Sequence, residues 1–445
     1  MAMLKLTKQY DRYPKYKDSG VEWIGEIPKG WGVVPMRSLF STKKQLVGED
    51  ASSHKLLGLT LGGVKPRPEN DKGKHPEKYD TYQEFKTDDL VFCLFDYDVT
   101  PRTIGYVQED GMLTGAYTRL IPKQDVVSRY YYYHFLALDQ TKELLHLCTG
   151  LRSSLSKPVF WSMANQKPAY DEQEKIVAYL GEKTALIDAI LEKKKKQIEL
   201  LREKRAAIIN RAVTKGLPAR RSLGEGGDPN AKLIDSGIEW IGKIPEGWEV
   251  KKLKYVAQVE GGYAFSSDSY TSDSVTGVLL VRITEVKEQI AEECRRYVPS
   301  DLWDTLKTFR VQQGDILITL TGYVGETSMF PLQEKALLNQ RAGKIQSSPN
   351  IHPKFLYYCT KPDAFRTFLS LRSKSSAQEN VSNSDIGEFV LPFPPKREQQ
   401  EIAEHIEEQC EKYLRAQDML ERSVALLQEF KSALISHVVT GKVKV

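Results

Sequence analysis

The chain is poor in the residues from which active sites are usually built. Its 445 residues include only five cysteines and seven histidines. The cysteines, Cys93, Cys148, Cys294, Cys359 and Cys410, are odd in number and scattered, which fits neither a disulfide framework nor a zinc-ligand spacing. No His-Glu-x-x-His occurs, no Gly-x-x-x-x-Gly-Lys-Ser/Thr loop is present to cradle a triphosphate, and no Gly-x-Gly-x-x-Gly follows a strand. The Asn/Asp-Pro-Pro-aromatic signature of amino-methylating enzymes is missing as well, because Phe393-Pro394-Pro395 lacks the leading amide or acid. Glu285-Val286-Lys287 has the Glu-x-Lys spacing of a metal-dependent nuclease, but no convincing paired aspartate accompanies it. The expectation is a protein without a catalytic centre, metal or cofactor of its own.

Long apolar runs are absent too. None approaches the roughly 18 residues that a membrane span needs, and the first twenty residues have no apolar core of the secretory kind. With unpaired cysteines, this leads to the expectation of a cytoplasmic protein. The net charge of +5 is compatible with a nucleic-acid partner without being diagnostic of one. A hydrophobic content of 40% excludes a wholly disordered chain, and the length suggests two to four domains.

What is present is repetition. DSGVEWIGEIPKGWGV begins at Asp18 and DSGIEWIGKIPEGWEV at Asp235. Downstream, EQEKIVAYL from Glu172 returns as EQQEIAEHI from Glu398, and AIINRAVT from Ala207 as ALISHVVT from Ala433. Between these markers the halves diverge. The chain is a tandem duplication. The expected domains are 1–165 and 232–391, each followed by a long helix in 166–215 and 392–445, with a Gly- and Pro-rich linker at 216–231. Matching frames around divergent inserts suggest one scaffold with two recognition surfaces; neutral drift after duplication is the alternative.

Both helical segments carry an apolar seam at alternating spacings of three and four, as a coiled coil requires. In the first it includes Leu180, Ile187, Leu191, Ile198, Leu201 and Ile208, and in the second Ile406, Tyr413, Leu420, Val424, Leu427 and Leu434. Residues 192–205 are net basic and 398–411 carry six glutamates and no Lys or Arg, which favours an antiparallel pair. The run Lys193–Lys196 reads as a solvated face rather than a phosphate contact.

The divergent segments mix short β-rich runs with helices, an α+β pattern. Tyr130–Tyr133 read as helix core rather than a base-stacking platform. Candidate DNA contacts lie in polar loops beside the strands. In the second domain these are Tyr263, Ser266, Ser267, Thr321, Tyr323, Asn339, Gln340 and Arg341. Arg suits guanine and Asn or Gln suits adenine in bidentate bonding, although a solvated turn would look the same. In the first domain they are Lys72, Lys74, Tyr97, Arg102, Tyr117 and Arg119, with Lys72, Lys74 and Arg102 suited to phosphate. Arg152, Arg372 and Lys374 lie in the polar segments LRSSLS and LRSKSS ahead of each long helix, where an arginine can either clamp phosphate or orient the helix.

Taken together, the Trp-Ile-Gly-x-Ile-Pro-x-Gly-Trp segments, Gly314-Asp315-Ile316-Leu317, the Pro394-Pro395-x-x-Glu398-Gln399 lead into a long helix and the duplicated half-chain resemble the specificity subunits of type I restriction-modification systems. The first copy departs in having Asp88-Asp89-Leu90-Val91 and Lys167-Pro168-Ala169 at the corresponding places. The resemblance implies two target-recognition domains separated by an antiparallel helix pair, each reading half of a split site in double-stranded DNA. It also implies two methyltransferase subunits carrying S-adenosylmethionine, and ATP-dependent restriction/translocase subunits beyond them. A sequence-independent architectural or coiled-coil protein and a fused methylating or cleaving enzyme are the competing readings.

Overall fold

The structure, a computed structural model, describes residues 11–68, 78–217, 232–271, 274–287, 290, 292–373 and 380–445. The chain divides into two compact units, Met1–Lys195 with Glu421–Val445 and Lys196–Leu420, so each unit takes part of both long helices.

In the first unit, β1 (Tyr16–Asp18) and β2 (Glu26–Pro28) form a hairpin, and β3 (Gly32–Pro35) leads into β4 (Phe40–Ser41). A second hairpin, β5 (Leu57–Thr60) and β6 (Gly63–Pro66), precedes β7 (Gln83–Phe85). The main sheet has the order β4-β11-β8-β9, with β8 (Leu90–Phe92), β9 (Ile104–Tyr106) and β11 (Thr118–Pro122) all antiparallel, while β10 (Gly111–Leu113) pairs with β7. Helix α1 (Ser128–Thr141) covers the sheet and buries Tyr130, Tyr131, Tyr133 and Phe135. Three of the four tyrosines are therefore core, as expected from the sequence, and Tyr132 is half-buried. Residues Ala164–Lys167 are a strand, β12, antiparallel to β3, and the long helix α2 starts only at Tyr170 and runs to Lys215.

The second unit repeats this order. β13 (Leu233–Asp235) and β14 (Lys243–Pro245) form the lead hairpin, and β15 (Glu249–Lys252) pairs with β24 (Val390–Phe393). Its main sheet, β16-β23-β20-β21, joins Ala257–Gly261, Ala342–Ser347, Ile316–Thr319 and Thr327–Met329. A further sheet, β18-β17-β22-β19, is built from Tyr297–Val298, Val278–Val281, Ala336–Leu338 and Arg310–Val311, and contains a parallel β17·β22 pair. Helices α3 (Pro353–Cys359) and α4 (Asp363–Ser370) back the main sheet, and α5 (Lys396–Val439) is the second long helix.

The repeated motifs have the same mechanics in both units. Trp31 Nε1 donates to Glu172 Oε2 at 2.9 Å, and Trp248 Nε1 to Glu398 Oε2 at 3.0 Å. The following glutamine ties the start of the long helix to the start of the domain helix. Gln173 Oε1 accepts from Val127 N at 2.9 Å and its Nε2 donates to Pro168 O at 3.0 Å; Gln399 does the same with His352 N and Pro394 O, both at 2.8 Å. These glutamines are fully buried, so a lost partner would leave an unsatisfied polar group. The turn before the central strand also matches. Gly314 has φ +91° and Asp88 has φ +73°, a left-handed position that aspartate tolerates better than most residues, which explains how the first copy dispenses with glycine. The next aspartate caps the turn in both copies, Asp89 accepting from Lys86 N and Asp315 from Gln312 N.

Within each unit the long-helix segments run antiparallel. In the first, Lys431 Nζ meets Asp188 Oδ1 at 2.6 Å, and Leu180, Ile187 and Leu191 share a core with Leu434, Ile435 and Val438. In the second, Ile209, Ala212 and Val213 pack with Ile402, Ala403, Ile406 and Cys410. Ile198 is buried, whereas Leu201, Ile208, Tyr413, Leu420, Val424 and Leu427 are only half-buried. At 3.6 residues per turn a straight helix drifts off a 3.5-residue seam, and here burial passes from Ile208 to its neighbour Ile209. The charge argument gave the orientation, and in register the apolar residues of the acidic stretch share a core with Ile209, Ala212 and Val213, beyond the end of the basic run, with Gly216 beside Glu398. Apolar burial outweighs surface ion pairs worth a few tenths of a kcal/mol.

Candidate nucleic-acid interface

In the second unit three of the polar loops converge. Gln340 N donates to Tyr263 O at 2.9 Å, Tyr263 N to Leu338 O at 2.8 Å, and Leu320 N to Arg341 O at 3.0 Å. These bonds join the loop after β16, the β20–β21 turn and the β22–β23 connection. Glycine is required at 262, because a Cβ there would lie 2.3 Å from the carbonyl of Asn339. The exposed groups on this face are Tyr263, whose ring packs edge-on against Phe265 and Phe309, Gln340, Arg341 and Tyr323, the last 90% exposed. Ser266 and Ser267 are exposed beside them; the Ser266 hydroxyl also accepts from Asp268 N at 3.4 Å, and Thr321 is half-buried. Asn339 is a correction. It is 5% exposed, its Nδ2 donates to Tyr270 Oη at 3.2 Å and its Oδ1 accepts from Arg341 N, so it shapes the turn that displays Gln340 and Arg341 rather than facing outward. Arg372 is exposed and lies over the Phe368 ring at 3.8 Å.

In the first unit the corresponding β8–β9 loop carries a stacked column. Tyr117, half-buried, lies parallel to Phe95 at 6.5 Å, and the Arg152 guanidinium lies over the Phe95 ring at 5.2 Å. Arg152 grips Asp96 through Nε at 2.8 Å and also through Nη2, and this pairing holds the Asp96 carboxyl below its usual pKa. Arg152 therefore braces the loop while staying accessible. Asp139, on α1 and almost fully buried, anchors the far end of the loop by accepting from Thr103 N at 3.1 Å, Thr103 Oγ1 at 2.7 Å and Lys142 Nζ at 2.9 Å. Arg102 reaches the Leu61 carbonyl at 3.2 Å.

Two further residues in this unit are corrected. Tyr97 is completely buried, with Lys142 over its ring, and cannot contact DNA. Arg119 is 7% exposed and its Nε donates to Asp89 Oδ2 at 2.6 Å. Lys344 occupies the equivalent strand position opposite β20 and is as deeply buried, so a cation beneath the aspartate turn belongs to the scaffold. Lys72, Lys74 and Lys374 lie outside the described residues. Phe95 was missed as an individual residue although its loop was singled out; an aromatic among strand residues gives no sign that it will stack at an edge.

Among the described residues no cluster of metal-ligating side chains is found, and no helix is long and apolar enough to cross a membrane. Glu285 of the Glu-x-Lys motif is buried and receives Arg282 through N, Nε and Nη2 and Thr284 through Oγ1, which leaves it no free ligand position.

Residues 245–411 match the family described as type I restriction modification DNA specificity domain. The chain is 25% identical over 356 residues to the type I restriction enzyme MjaVIII specificity subunit of Methanocaldococcus jannaschii, spanning 76% of each protein. It is 26% identical over 212 residues to the EcoBI specificity subunit of Escherichia coli, covering 47% of this chain and 42% of that one. In fold it matches a chain from a structure described as the basis of complex assembly and conformational transition of the type I R-M system, with a TM-score of 0.67, 13% identity, and coverage of 93% of this chain and 98% of that one.

Proposed function

Because the chain belongs to the specificity subunits of type I restriction-modification systems, we propose that its two units each read one half of an asymmetric, bipartite DNA site. The observation that carries this is the convergence of three loops in the second unit, which display Tyr263, Tyr323, Gln340 and Arg341 together. Exposed Gln and Arg at a turn held by main-chain bonds can make bidentate bonds to base edges, and the exposed tyrosines supply stacking or apolar contact. The long helices, antiparallel within each unit, set the spacer between the half-sites and offer docking surfaces to two methyltransferase subunits. S-adenosylmethionine is carried by those subunits and ATP by restriction/translocase subunits that join them, in the cytoplasm. This chain contributes recognition and no chemical step.

The test is to produce the chain with its methyltransferase subunits and map modified bases across a genome. A split motif with two different halves and a fixed gap is expected. A contiguous motif, or modification without sequence preference, would overturn the reading and favour an architectural protein.

A further inference from the structure

The first unit contains a groove of about 760 Å³ between its recognition domain and its long-helix segments. The domain contributes Lys65 from β6, Arg102 from the β8–β9 loop and Arg129 from α1; the helices contribute Lys195 and Lys431. Two carboxylates share the lining. Asp188 is taken up by Lys431 at 2.6 Å, Glu192 by Lys195 at 3.0 Å and Arg102 by the buried Asp139 at 3.8 Å, so the positive excess of the groove rests on Lys65 and Arg129 of the domain wall. Lys65 and Arg129 are exposed, and no carboxylate pairs with either among the described residues. Arg129 reaches α2, its Nη2 lying beside Gly181.

Cations converging from the domain and from both helices, without a metal-ligand or nucleophile cluster, suit a line of phosphates. Arg102 links the groove to the reading face, because it belongs to the loop that carries Phe95 and Asp96. We infer that this groove holds the sugar-phosphate backbone of the unread DNA next to the first half-site, so that α2 touches the spacer directly; this rests on the bipartite reading proposed above. Lys195 is then a phosphate contact, in contrast to the solvated face expected from sequence. Glu192, one turn before it on the same helix, keeps the grip weak, which suits a contact that must accept any spacer sequence.

The experiment compares the full chain with the double variant Arg129→Ala, Lys195→Ala on a duplex carrying the mapped site, over a range of salt concentrations. Both side chains are exposed, and thermal melting checks that the variant is folded. Each lost phosphate contact should lower the salt slope by about one, so the variant should lose roughly tenfold less affinity than wild type between 50 and 200 mM salt. Its base preference in both half-sites should be unchanged. Methylphosphonate linkages in the spacer should weaken wild type and leave the variant little affected. An unchanged salt slope, with methylphosphonate acting equally on both proteins, would overturn the inference even if wild type still selects a split site. Intact DNA binding combined with lost binding of a methyltransferase subunit would also overturn it, and would assign the groove to an acidic protein segment. Failure of wild type to select any split site would instead defeat the parent reading.

Discussion

In the first unit the β8–β9 loop hangs on one buried carboxylate, Asp139, which holds Thr103 and Lys142. In the second unit the β20–β21 loop is tied through a threonine hydroxyl and two cations from the backing helices and the turn between them: Thr319 Oγ1 donates to Tyr323 O, Glu326 N donates to Thr319 Oγ1 at 3.0 Å, Lys361 Nζ donates to Thr327 O at 2.7 Å, and Arg366 Nη1 pairs with Glu326 Oε1 at 2.5 Å on the exposed side. Loops at the same place in the topology are thus fixed by unrelated chemistry. The scaffold beneath them differs hardly at all, with Trp–Glu and Gln clamps reproduced within 0.2 Å. The difference shows which parts of such a duplication are free to change. Buried clamps that join a strand, a domain helix and a long helix have one solution each, while a surface loop needs only some anchor. A new recognition surface can therefore arise in one unit without disturbing the frame of either.

The sharpest way to break that comparison is to remove the anchors. Asp139→Ala leaves Lys142 and the Thr103 donors without their buried acceptor, and should destabilise the first unit by about 3–5 kcal/mol, as loss of one partner of a buried ionic group does. Thr319→Val removes only a neutral hydroxyl and should cost about 1–3 kcal/mol. Each should abolish base choice in its own half-site alone. Thermal melting together with binding to half-site variants measures both, and equal loss in both half-sites from either variant would show that the loops are not independent.

The clamps come next. Trp31→Phe and Trp248→Phe keep an aromatic ring and delete one donor to a carboxylate, a loss of about 1.5–3 kcal/mol. Glu172 keeps a second donor, the Tyr13 hydroxyl at 2.5 Å, whereas among the described residues Trp248 is the side-chain donor to Glu398. Trp248→Phe should be the more harmful of the pair in urea unfolding. The reverse order would mean that the two frames are not held in the same way.

At the reading faces the arginines should differ in kind. Arg341 is exposed with no carboxylate partner among the described residues, and Arg341→Ala should relax base choice in one half-site by about 1–3 kcal/mol. Arg152 already spends its bidentate edge on Asp96, so Arg152→Ala should act by loosening the loop and lower affinity without a new base preference. Competition binding with each base substituted in turn separates the two outcomes.

The repeats, the domain order and the long helices were legible in the sequence because they follow from duplication and period, and the antiparallel orientation because charge differs between the two helices. The Gly314/Asp88 turn was legible only as a mismatch; its shared left-handed backbone appears in three dimensions. Tyr97, Arg119 and Asn339 were misjudged for one reason. A polar or aromatic residue in a loop-like segment looks exposed, and burial by a partner distant in sequence, such as Asp89 for Arg119 or Tyr270 for Asn339, leaves no local trace. The groove in the first unit was equally invisible, since its cations are drawn from segments more than 350 residues apart.

The smallest expected effect tests the two clamps by charge alone. Burial raises the Glu398 carboxyl above its ordinary pKa; the Trp248 hydrogen bond opposes this and nearby Glu401 adds to it. A carboxyl with a raised folded-state pKa binds its proton more tightly in the folded state than in the unfolded one. Its contribution is therefore complete below the unfolded value, about 4.3 for glutamate, and is lost as pH rises through the higher folded value. Glu398→Gln removes the titration and keeps an oxygen for Trp248 Nε1. The variant should gain on wild type as pH rises through that window, and urea midpoints at steps from about pH 4 to 7 would show it. Parallel profiles would mean that Glu398 is solvated as well in the folded chain as in the unfolded one. Glu172→Gln makes the contrast. Its two oxygens accept from different donors, Tyr13 Oη and Trp31 Nε1, so an amide that keeps its oxygen on the indole must turn its NH2 to the Tyr13 oxygen, reversing that bond and replacing a charge-assisted bond with a neutral one. That variant should be destabilised across the whole range, and the same substitution at equivalent positions would then have opposite signs because one tyrosine is present in a single copy of the repeat.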